Sequence, residues 1–344
     1  MPMRVKPDSG REPELEAKVA FLSRPDSYVE HPANVETLET HMSWVFMTER
    51  FVYKLKKPVK HSFLDFSTLD DRRRDCLEEV RLNRRLAPDV YLGIISITRD
   101  SQNKLELDGD GEITEWLVKM RRLPADRMLD HLLRGQRIPD QEIRRFSCKL
   151  ADFYRNAPPV LISAHDYRQQ FLTDIHSNRE ELLDHNYRLP ADLLDRITNS
   201  QLDVVCNQPE LLDQRVKERR IVEAHGDLRP EHICLTEEPV FIDCLEFNRK
   251  LRILDPADEL AYLAMECQLG GGEYIGPIVF ACYARKTGDD PPQPLIYFYR
   301  AYRATLRAKL SIWHIKDHSA DQHHKWINRA MAYLHLADSY RSML

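Results

Sequence analysis

The chain of 344 residues is long enough for two lobes and carries a formal net charge of -5. Hydrophobic residues make up 42% and charged residues 31% of the sequence, which indicates a folded globular protein. The weak negative charge gives no general electrostatic reason to expect nucleic acid or an anionic membrane as a partner, and no run of 18 apolar residues predicts a membrane span.

The seven cysteines are scattered and never spaced as CxxC, so neither a disulfide framework nor a zinc ribbon is predicted. The first residues, MPMRVKPDSGREPELEAKV, lack the apolar region of an export signal. We therefore expect a cytoplasmic protein in which residues 1–13 form a loose polar tail.

The stretch VETLETHMSWVFMTERFVYKLKKPV is rich in Val, Thr and aromatic residues and predicts three strands. Within RFVYKLKK, alternation places Tyr53 and Leu55 on one face and Lys54 and Lys56 on the other. DRRRDCLEEVRLNRRLAP predicts a helix, and YLGIISITRD and ITEWLVKMRRLP predict two more strands. Residues 14–120 are thus expected to form a small β-rich lobe with one principal helix.

Beyond Pro124 the pattern changes to successive helices, so residues 121–344 are expected to form a larger helical lobe. Between these helices lies EAHGDLRPEHICL, followed by a short hairpin that ends in VFIDCLEF. Asp243 follows the apolar VFI, and a carboxylate at a buried strand end needs a metal or a hydrogen-bonding partner. The expected fold class is α+β.

HGDLRPEHICL and VFIDCLEF resemble the catalytic loop and the metal-binding segment of aminoglycoside phosphotransferase-like kinases, whose loop usually reads H-G-D-x-x-x-x-N. The resemblance covers about residues 30–310 and implies a bilobal protein-kinase-like fold with a helical lobe that holds the catalytic loop and the acceptor site. ETHMSWVFMTERFVYKLKKPV and EEVRLNRRLAPDVYLG resemble an uncharacterised bacterial subgroup, some of whose members also carry a P-loop ATPase domain. This chain contains no G-x-x-x-x-G-K motif.

The resemblance implies three residues for the chemistry. Asp227 would orient or deprotonate the acceptor hydroxyl, Arg229 would lie beside the transferring phosphoryl group, and Asp243 would hold the Mg²⁺ that bridges the ATP phosphates. The alternatives are that Asp227 is a loop N-cap and that Asp243 is an aspartate at a hairpin end.

Lys54 resembles the lysine that contacts the α- and β-phosphates, with Glu79 on the following helix as its partner. Lys56 lies on the same face and Glu78 is adjacent to Glu79, so the register stays open by one step in each case. The alternative is a solvated basic edge strand.

Three further residues are candidates for nucleotide binding. Ser43 would donate a hydrogen bond to a phosphate, or else is an ordinary turn serine. Met120 and Arg121 would lie in the hinge whose backbone recognises adenine.

In the helix start DPADELA, Asp255 and Asp258 resemble the acids that brace the catalytic loop.

Arg300, Arg303 and Arg307 share one face of a predicted helix. This pattern is typical of a solvated face, and the alternative is that the face borders the acceptor cleft and attracts an anionic substrate.

The family's asparagine, five residues after the loop aspartate, is a metal ligand, and His232 occupies its place here. An amide oxygen suits Mg²⁺, whereas an imidazole nitrogen suits softer metals. Three outcomes are open: the site uses Mn²⁺ or a single Mg²⁺ held by Asp243, with Glu231 or Glu246 assisting; it binds nucleotide without turnover; or it has lost nucleotide binding.

The predicted function is ATP-dependent transfer of the γ-phosphoryl group to a hydroxyl of a small-molecule acceptor, with Mg²⁺ as the metal and Mn²⁺ as the alternative. No nucleic-acid or membrane partner is expected. The alternative function is that of a pseudokinase, a nucleotide-binding or regulatory module whose metal site His232 has impaired.

Overall fold

The computed structural model describes residues 12–61, 64–135, 137–184, 186–317 and 322–344. The chain divides into two compact units. The first comprises Met1–Ala125 and Phe241–Arg249, and the second comprises Asp126–Val240 and Lys250–Leu344. Residues 1–11 of the expected polar tail lie outside the described residues, and the first helix begins at Glu12.

The first unit is built on a six-stranded antiparallel sheet. Its elements in chain order are α1 (Glu12–Leu22), β1 (Glu36–Glu39), β2 (Ser43–Met47), β3 (Phe51–Lys56), β4 (Lys60–His61), β5 (Leu64–Asp65), α2 (Leu69–Asn83), β6 (Tyr91–Arg99), β7 (Leu105–Leu107) and β8 (Glu112–Arg121). The strand order is β1-β2-β3-β8-β6-β7, and every neighbouring pair is antiparallel. Strands β4 and β5 form a separate short pair.

Alternation along β3 decides which of its side chains enter the core. Tyr53 and Leu55 are buried in a cluster with Phe46 and Leu117. Burial of a large apolar side chain contributes about 1.5–3 kcal/mol. The lysines of β3 point to the other face and contact α2, which packs on β6 and β8 and begins with an N-cap from Thr68 to the Asp71 N–H.

The second unit is mainly helical. Its elements are α3 (Leu129–Leu133), α4 (Asp140–Asn156), α5 (Ala164–Leu182), α6 (Ala191–Asn207), α7 (Glu210–Lys217), β9 (Val222–Glu223), β10 (Ile233–Cys234), β11 (Val240–Phe241), β12 (Ile253–Leu254), α8 (Pro256–Leu269), α9 (Ile275–Thr287), α10 (Gln293–Trp313) and α11 (His323–Arg341). Strand β11 ends with Phe241, the first residue of the segment assigned to the first unit. The predicted α+β class is confirmed.

Helix α8 is the central helix of the second unit. Every residue from Pro256 to Cys267 is buried, so the helix has no solvated face over this stretch. Tyr262 and Met265 join one hydrophobic cluster with α6, α10 and α11, and Ala257 and Ala261 join another with α5, α6, α7 and α10. In the described part of the chain, no helix has the length and hydropathy of a membrane span.

Candidate active site

Lys54, near the middle of β3, lies between two carboxylates of the first unit. Its Nζ donates hydrogen bonds to Glu79 Oε1 and to Asp243 Oδ1, each at 2.9 Å. Glu79 is fully buried, whereas the Asp243 side chain is 47% exposed. Burial disfavours the charge of Lys54, but Asp243 and Glu79 outweigh it and hold the pKa of the lysine well above its ordinary value. The lysine is therefore a charged ammonium.

Lys56, two residues further along β3, is more deeply buried. Its Nζ lies 2.5 Å from Asp75 Oδ2, 2.7 Å from Glu79 Oε2 and 2.6 Å from Glu246 Oε1, and its side chain is 1% exposed. The three carboxylates present oxygens within 4.8 Å of one another, a spacing that suits a metal ion. The ammonium of Lys56 already contacts each of them, so here a lysine serves as the cation of this cluster.

The sequence left open whether Lys54 or Lys56 pairs with the helix and whether Glu78 or Glu79 is the partner. In the structure, both lysines pair with Glu79. Glu79 uses one carboxylate oxygen for Lys54 and the other for Lys56. Glu78 pairs instead with Arg81, at 2.7 Å, on the exposed side of α2. Both lysines of β3 are therefore partners of the same buried glutamate.

The turn that presents Asp243 is fixed by side chains of the same unit. Asp243 has a φ of 59°, in the left-handed region that costs about 1–2 kcal/mol for most L-residues and that aspartate tolerates better than most. Its N–H donates to Tyr91 Oη at 3.0 Å, and the N–H of Cys244 donates to Asn83 Oδ1 at 2.8 Å. Tyr91 and Asn83 are both buried. These two bonds hold the backbone in this conformation.

Four carboxylates surround the two ammonium groups of β3. Burial raises the pKa of Asp75 to about 7 against the opposing effect of Lys56, so this carboxyl takes up a proton near neutrality. Even with Asp75 protonated, Glu79, Glu246 and Asp243 outnumber the two lysines. Oxygen ligands with excess negative charge suit a hard divalent cation such as Mg²⁺. Both Asp243 and Glu246 are bonded to a lysine, but the Asp243 side chain is 47% exposed and that of Glu246 only 10%, so Asp243 fits the role of metal ligand better.

The structure places the other predicted nucleotide contacts at the sheet. Ser43 begins β2 and is 2% exposed, and its N–H donates to Thr40 Oγ1 at 3.0 Å. Met120 lies opposite Val52 of β3 near the end of β8. The N–H of Arg121 donates to the Val90 carbonyl at 2.8 Å. Ser43 thus has little open surface in this conformation, and the Arg121 N–H is already engaged.

In the second unit, Glu259 of α8 anchors the loop that contains HGD. Its Oε2 accepts the His225 N–H at 3.0 Å, and its Oε1 accepts the Gly226 N–H at 2.5 Å. Tyr154 donates its hydroxyl to the same carboxylate at 2.6 Å. Gly226 has a φ of 91°, a conformation that favours glycine. Glu259 therefore fixes the backbone just before Asp227.

The prediction that Asp255 and Asp258 brace this loop is wrong. Asp255 accepts hydrogen bonds from Arg215 at 2.6 and 2.9 Å, and Asp258 accepts from Arg303 Nε at 2.7 Å. One step along a helix turns the side chain by about 100°. Glu259 consequently faces the loop, whereas its neighbour Asp258 faces α10.

Asp227 is a partly exposed carboxylate that is bonded on both oxygens. Oδ1 accepts the Tyr262 hydroxyl at 3.0 Å, and Oδ2 lies 2.9 Å from Arg229 Nη2. Burial favours the neutral acid, but Arg229, followed by His232 and Arg307, outweighs burial and holds the pKa of Asp227 below its ordinary value. With 29% of its side chain exposed, Asp227 is ionised and accessible.

His232 closes the loop with both ring nitrogens. Nδ1 lies 2.8 Å from the carbonyl oxygen of Asp227, and Nε2 lies 3.2 Å from Arg229 Nη2. Because a carbonyl only accepts and a guanidinium only donates, Nδ1 carries the proton and Nε2 accepts. Arg229 also pairs with Glu231. A metal at Nε2 would have to displace Arg229.

The prediction of a solvated arginine face on α10 is wrong for two of its three residues. Arg303 is 8% exposed and donates to both oxygens of Asp258. The Arg307 side chain is 12% exposed, and its Nε donates to Glu266 Oε1 at 2.8 Å. The neighbours in sequence could not reveal this burial, because the matching acids come from α8.

Sequence reasoning missed Tyr262, Glu259 and Tyr91 as residues that position the site. One signal was available for α8: Glu259 and Tyr262 interrupt the apolar run of a helix whose pattern otherwise predicts complete burial. Polar groups at such positions need hydrogen-bonding partners. Tyr91 carried no comparable signal, since an aromatic residue at the start of a strand is ordinary.

No protein-family model matches the chain. Uncharacterized proteins of Mycobacterium bovis (strain ATCC BAA-935 / AF2122/97) and of Mycobacterium tuberculosis strains CDC 1551 / Oshkosh and ATCC 25618 / H37Rv are each 33% identical to it over 279 residues. The match covers 80% of this chain and 54% of each relative. The chain therefore spans about half the length of the curated relatives it matches.

Two solved structures resemble the chain over nearly its whole length. The GDP complex of wild-type aminoglycoside 2'-phosphotransferase-IIIa matches with a TM-score of 0.56 and 15% identity, covering 96% of this chain and 98% of that one. The GDP and kanamycin complex of APH(2")-IIia matches with a TM-score of 0.54 and 15% identity, covering 94% and 98%. The chain has the aminoglycoside phosphotransferase-like fold.

The resemblance drawn from the motifs is thus confirmed at the level of the fold, which is protein-kinase-like. Lys54, Glu79 and Asp243 belong to the first unit, and Asp227 and Arg229 belong to the second. The roles of these residues remain predictions.

Proposed function

We propose that the chain is a phosphotransferase that moves the γ-phosphoryl group of ATP to a hydroxyl of a small-molecule acceptor. The observation that carries the proposal is the position of Lys54, which donates to Glu79 and to Asp243 at 2.9 Å each. Phosphoryl transfer depends on positioning and on neutralising negative charge. A buried ammonium beside a half-exposed carboxylate suits both tasks.

In this proposal the nucleotide is held by residues of the first unit. Lys54 binds the α- and β-phosphates, and Asp243 is the ligand of Mg²⁺, which when bound neutralises charge on the phosphates. The backbone after Met120 binds adenine. The Arg121 N–H already donates to the Val90 carbonyl. The N–H of Leu123 has no acceptor among the described residues, so it is the group that would donate a hydrogen bond to adenine.

Asp227 acts on the acceptor. Its carboxylate accepts the proton of the acceptor hydroxyl while that oxygen bonds to the γ-phosphorus and the bond from phosphorus to the β,γ-bridging oxygen breaks. Tyr262 and Arg229 keep the carboxylate ionised and oriented. Arg229 also supplies positive charge for the phosphoryl group in transfer.

The second candidate is a pseudokinase that binds nucleotide with weak or no turnover. The observation in its favour is His232, which stands at the family's asparagine position with Nδ1 bonded to Asp227 and Nε2 to Arg229. A ring held in this way offers no oxygen to Mg²⁺, so Asp243 would bind the metal without that second ligand.

The test measures nucleotide consumption and phosphorylated product for wild type, Asp227→Ala and Asp243→Asn. Sugars, amino alcohols and aminoglycosides serve as acceptors, with Mg²⁺ or Mn²⁺, and GTP is run beside ATP because both structural neighbours are GDP complexes. Turnover that needs Asp227 and a divalent cation supports the phosphotransferase. Absence of turnover, with calorimetric ATP binding that is metal-independent and unchanged in Asp243→Asn, supports the pseudokinase.

A further inference from the structure

Three arginines of the second unit meet two tyrosine rings of α11. The guanidinium of Arg300 lies 5.6 Å from the ring centroid of Tyr340, and those of Arg307 and Arg329 lie 5.5 and 6.0 Å from that of Tyr333. We call Arg300, Arg307 and Arg329 the arginine patch. Such guanidinium contacts with aromatic rings stabilise the charge without using up its hydrogen-bond donors.

Arg300 shares a side-chain hydrogen bond with Tyr340, but several other donors of the arginine patch have no partner among the described residues. Arg307 uses Nε for Glu266 and Tyr333, at 2.8 and 3.3 Å. Among the residues that the structure describes, none accepts a hydrogen bond from its two Nη atoms, from Arg329 or from the buried Nε of Arg300. Of these donors, the Nε of Arg300 is buried. Buried polar groups without partners are rare in native proteins, and a ligand is one common reason for them.

The surroundings of the arginine patch are short of negative charge. The carboxylate bonded to it is that of Glu266, which also accepts the Tyr333 hydroxyl at 3.0 Å. The nearby acids Asp227 and Glu231 are both paired with Arg229. In the described part of the chain, Glu266 is thus the one carboxylate bonded to the arginine patch, and it is bonded to Arg307.

Arg307 contacts α8 one helical turn from Tyr262, the residue that donates to the carboxylate proposed as the base. Tyr262, which donates to Asp227, and Glu266, which accepts from Arg307, are four residues apart on α8. Residues at this spacing lie on one face of a helix, about 6 Å apart along its axis. A small molecule with a hydroxyl at Asp227 therefore reaches Arg307 with a second group.

We propose that the acceptor carries an oxyanion, a phosphate or a carboxylate, which the arginine patch binds while the hydroxyl lies at Asp227. This inference rests on the proposed phosphotransferase function and names its substrate class. Guanidinium groups bind phosphate and carboxylate oxygens with paired, charge-assisted hydrogen bonds. A polycationic acceptor such as an aminoglycoside is repelled by the same three charges.

Binding is measured by calorimetry, independently of turnover. The probes are glycerol 3-phosphate, gluconate, glycerol, glucose and kanamycin. The variants are Arg307→Met, Arg307→Lys and Arg329→Met. Arg329 is exposed, so its substitution removes no buried ion pair. Arg196→Met, which deletes an exposed cation of α6 3.9 Å from Asp338, is the control for net charge. Lys54→Met controls for binding of anions at the nucleotide residues.

We expect an anionic probe to bind wild type and to lose about tenfold in affinity or more in Arg307→Met, with a smaller loss in Arg329→Met. Arg307→Lys should retain part of the affinity for the anionic probe. Arg196→Met and Lys54→Met should retain the full affinity. Preference for glycerol 3-phosphate or for gluconate then assigns the oxyanion as phosphate or carboxylate.

Anion binding that all arginine variants leave unchanged, or equal binding of glycerol, glucose or kanamycin, overturns the inference. The outcome is separable from that of the proposed function. If anions bind in a way that depends on the arginines but no acceptor is phosphorylated, the phosphotransferase function is refuted and the anion-binding site is supported. If a neutral or cationic acceptor is phosphorylated and Arg307→Met leaves that turnover unchanged, the phosphotransferase function is supported and the proposal of an anionic acceptor is refuted.

Discussion

Lys56 and Glu79 form an ion pair of 2.7 Å in which neither side chain is more than 1% exposed. The ammonium also contacts Asp75 and Glu246, so it joins β3, α2 and the segment Phe241–Arg249 of the first unit. Lys54, on the same strand face, is 15% exposed and borders the half-exposed Asp243. We infer that the inner lysine holds the cluster together and the outer one is available to a ligand.

Lys56→Met should therefore destabilise the protein, because it removes the cation that contacts Asp75 and Glu246 and leaves Glu79 with Lys54 alone. Removing one partner of a buried ion pair costs about 3–5 kcal/mol. The free energy of unfolding from chemical denaturation measures the loss. Lys54→Met is the matched control, and it should lose nucleotide affinity with a clearly smaller loss of stability. Equal destabilisation by the two variants would contradict the division of roles.

The raised pKa of Asp75 predicts a dependence of stability on pH. Burial places this pKa at about 7 in the folded state, against about 3.9 in an unfolded chain. The folded state then holds a proton that the unfolded state has released, so this group's contribution to stability falls as pH rises from about 4 to 7 and levels off above. Compared with Asp75→Asn, wild type should lose stability between pH 5 and 7, as measured by denaturation at each pH. Parallel curves for the two proteins would refute the assignment.

The hydroxyl of Tyr262 should lower the pKa of Asp227. Without the hydrogen bond of 3.0 Å, the ionised carboxylate is less stabilised, so Tyr262→Phe should raise the pKa of Asp227 and shift the acid limb of the rate profile to higher pH. A hydrogen bond to a charged group contributes about 1.5–3 kcal/mol, so a fall in turnover of about tenfold or more is expected. In wild type the lowered pKa of Asp227 predicts no loss of activity from this group down to about pH 5.

Tyr302→Phe is the control for that experiment. Its hydroxyl is also buried and donates to a carboxylate, that of Asp174 at 2.7 Å, without any contact to Asp227. It should leave the acid limb in place. A shift of the limb in both variants would mean that general loosening of the helices causes the effect.

His232→Asn should separate a metal defect from a structural role. The substitution removes the bond from Nδ1 to the Asp227 carbonyl and the contact of Nε2 with Arg229, and supplies an amide oxygen that suits Mg²⁺. If the histidine limits metal binding, the Mg²⁺ concentration for half-maximal turnover should fall in the variant. An unchanged metal dependence with a lower melting temperature would assign His232 to loop closure alone.

The sequence predicted the parts of the site that depend on local periodicity. Alternation along β3 placed Lys54 and Lys56 on one face, and helical spacing brought Glu79 toward them. It could not show that one glutamate serves both lysines, since that depends on how α2 packs on the sheet. The fold class followed from the same patterns, because strands and helices occupy separate stretches of the chain.

The errors concern side chains whose partners are distant in sequence. On α8, the choice between Asp258 and Glu259 as the acid that faces the loop depends on a rotation of about 100° that no local pattern sets. On α10, Arg303 looked solvated because its partner Asp258 lies in another helix. Charge runs indicate solvent exposure only when no buried acid is available to pair with them.

The assignment of Phe241–Arg249 to the first unit has a consequence for the order of synthesis. A growing chain makes Lys54 and Lys56 early, but Asp243 and Glu246, which pair with them, leave the ribosome only after Asp126–Val240 has been made. Until then two ammonium groups destined for burial lack half of their counterions. A fragment that stops at Ala125 is for this reason an incomplete folding unit, and any dissection of the protein must keep residues 241–249 with the sheet.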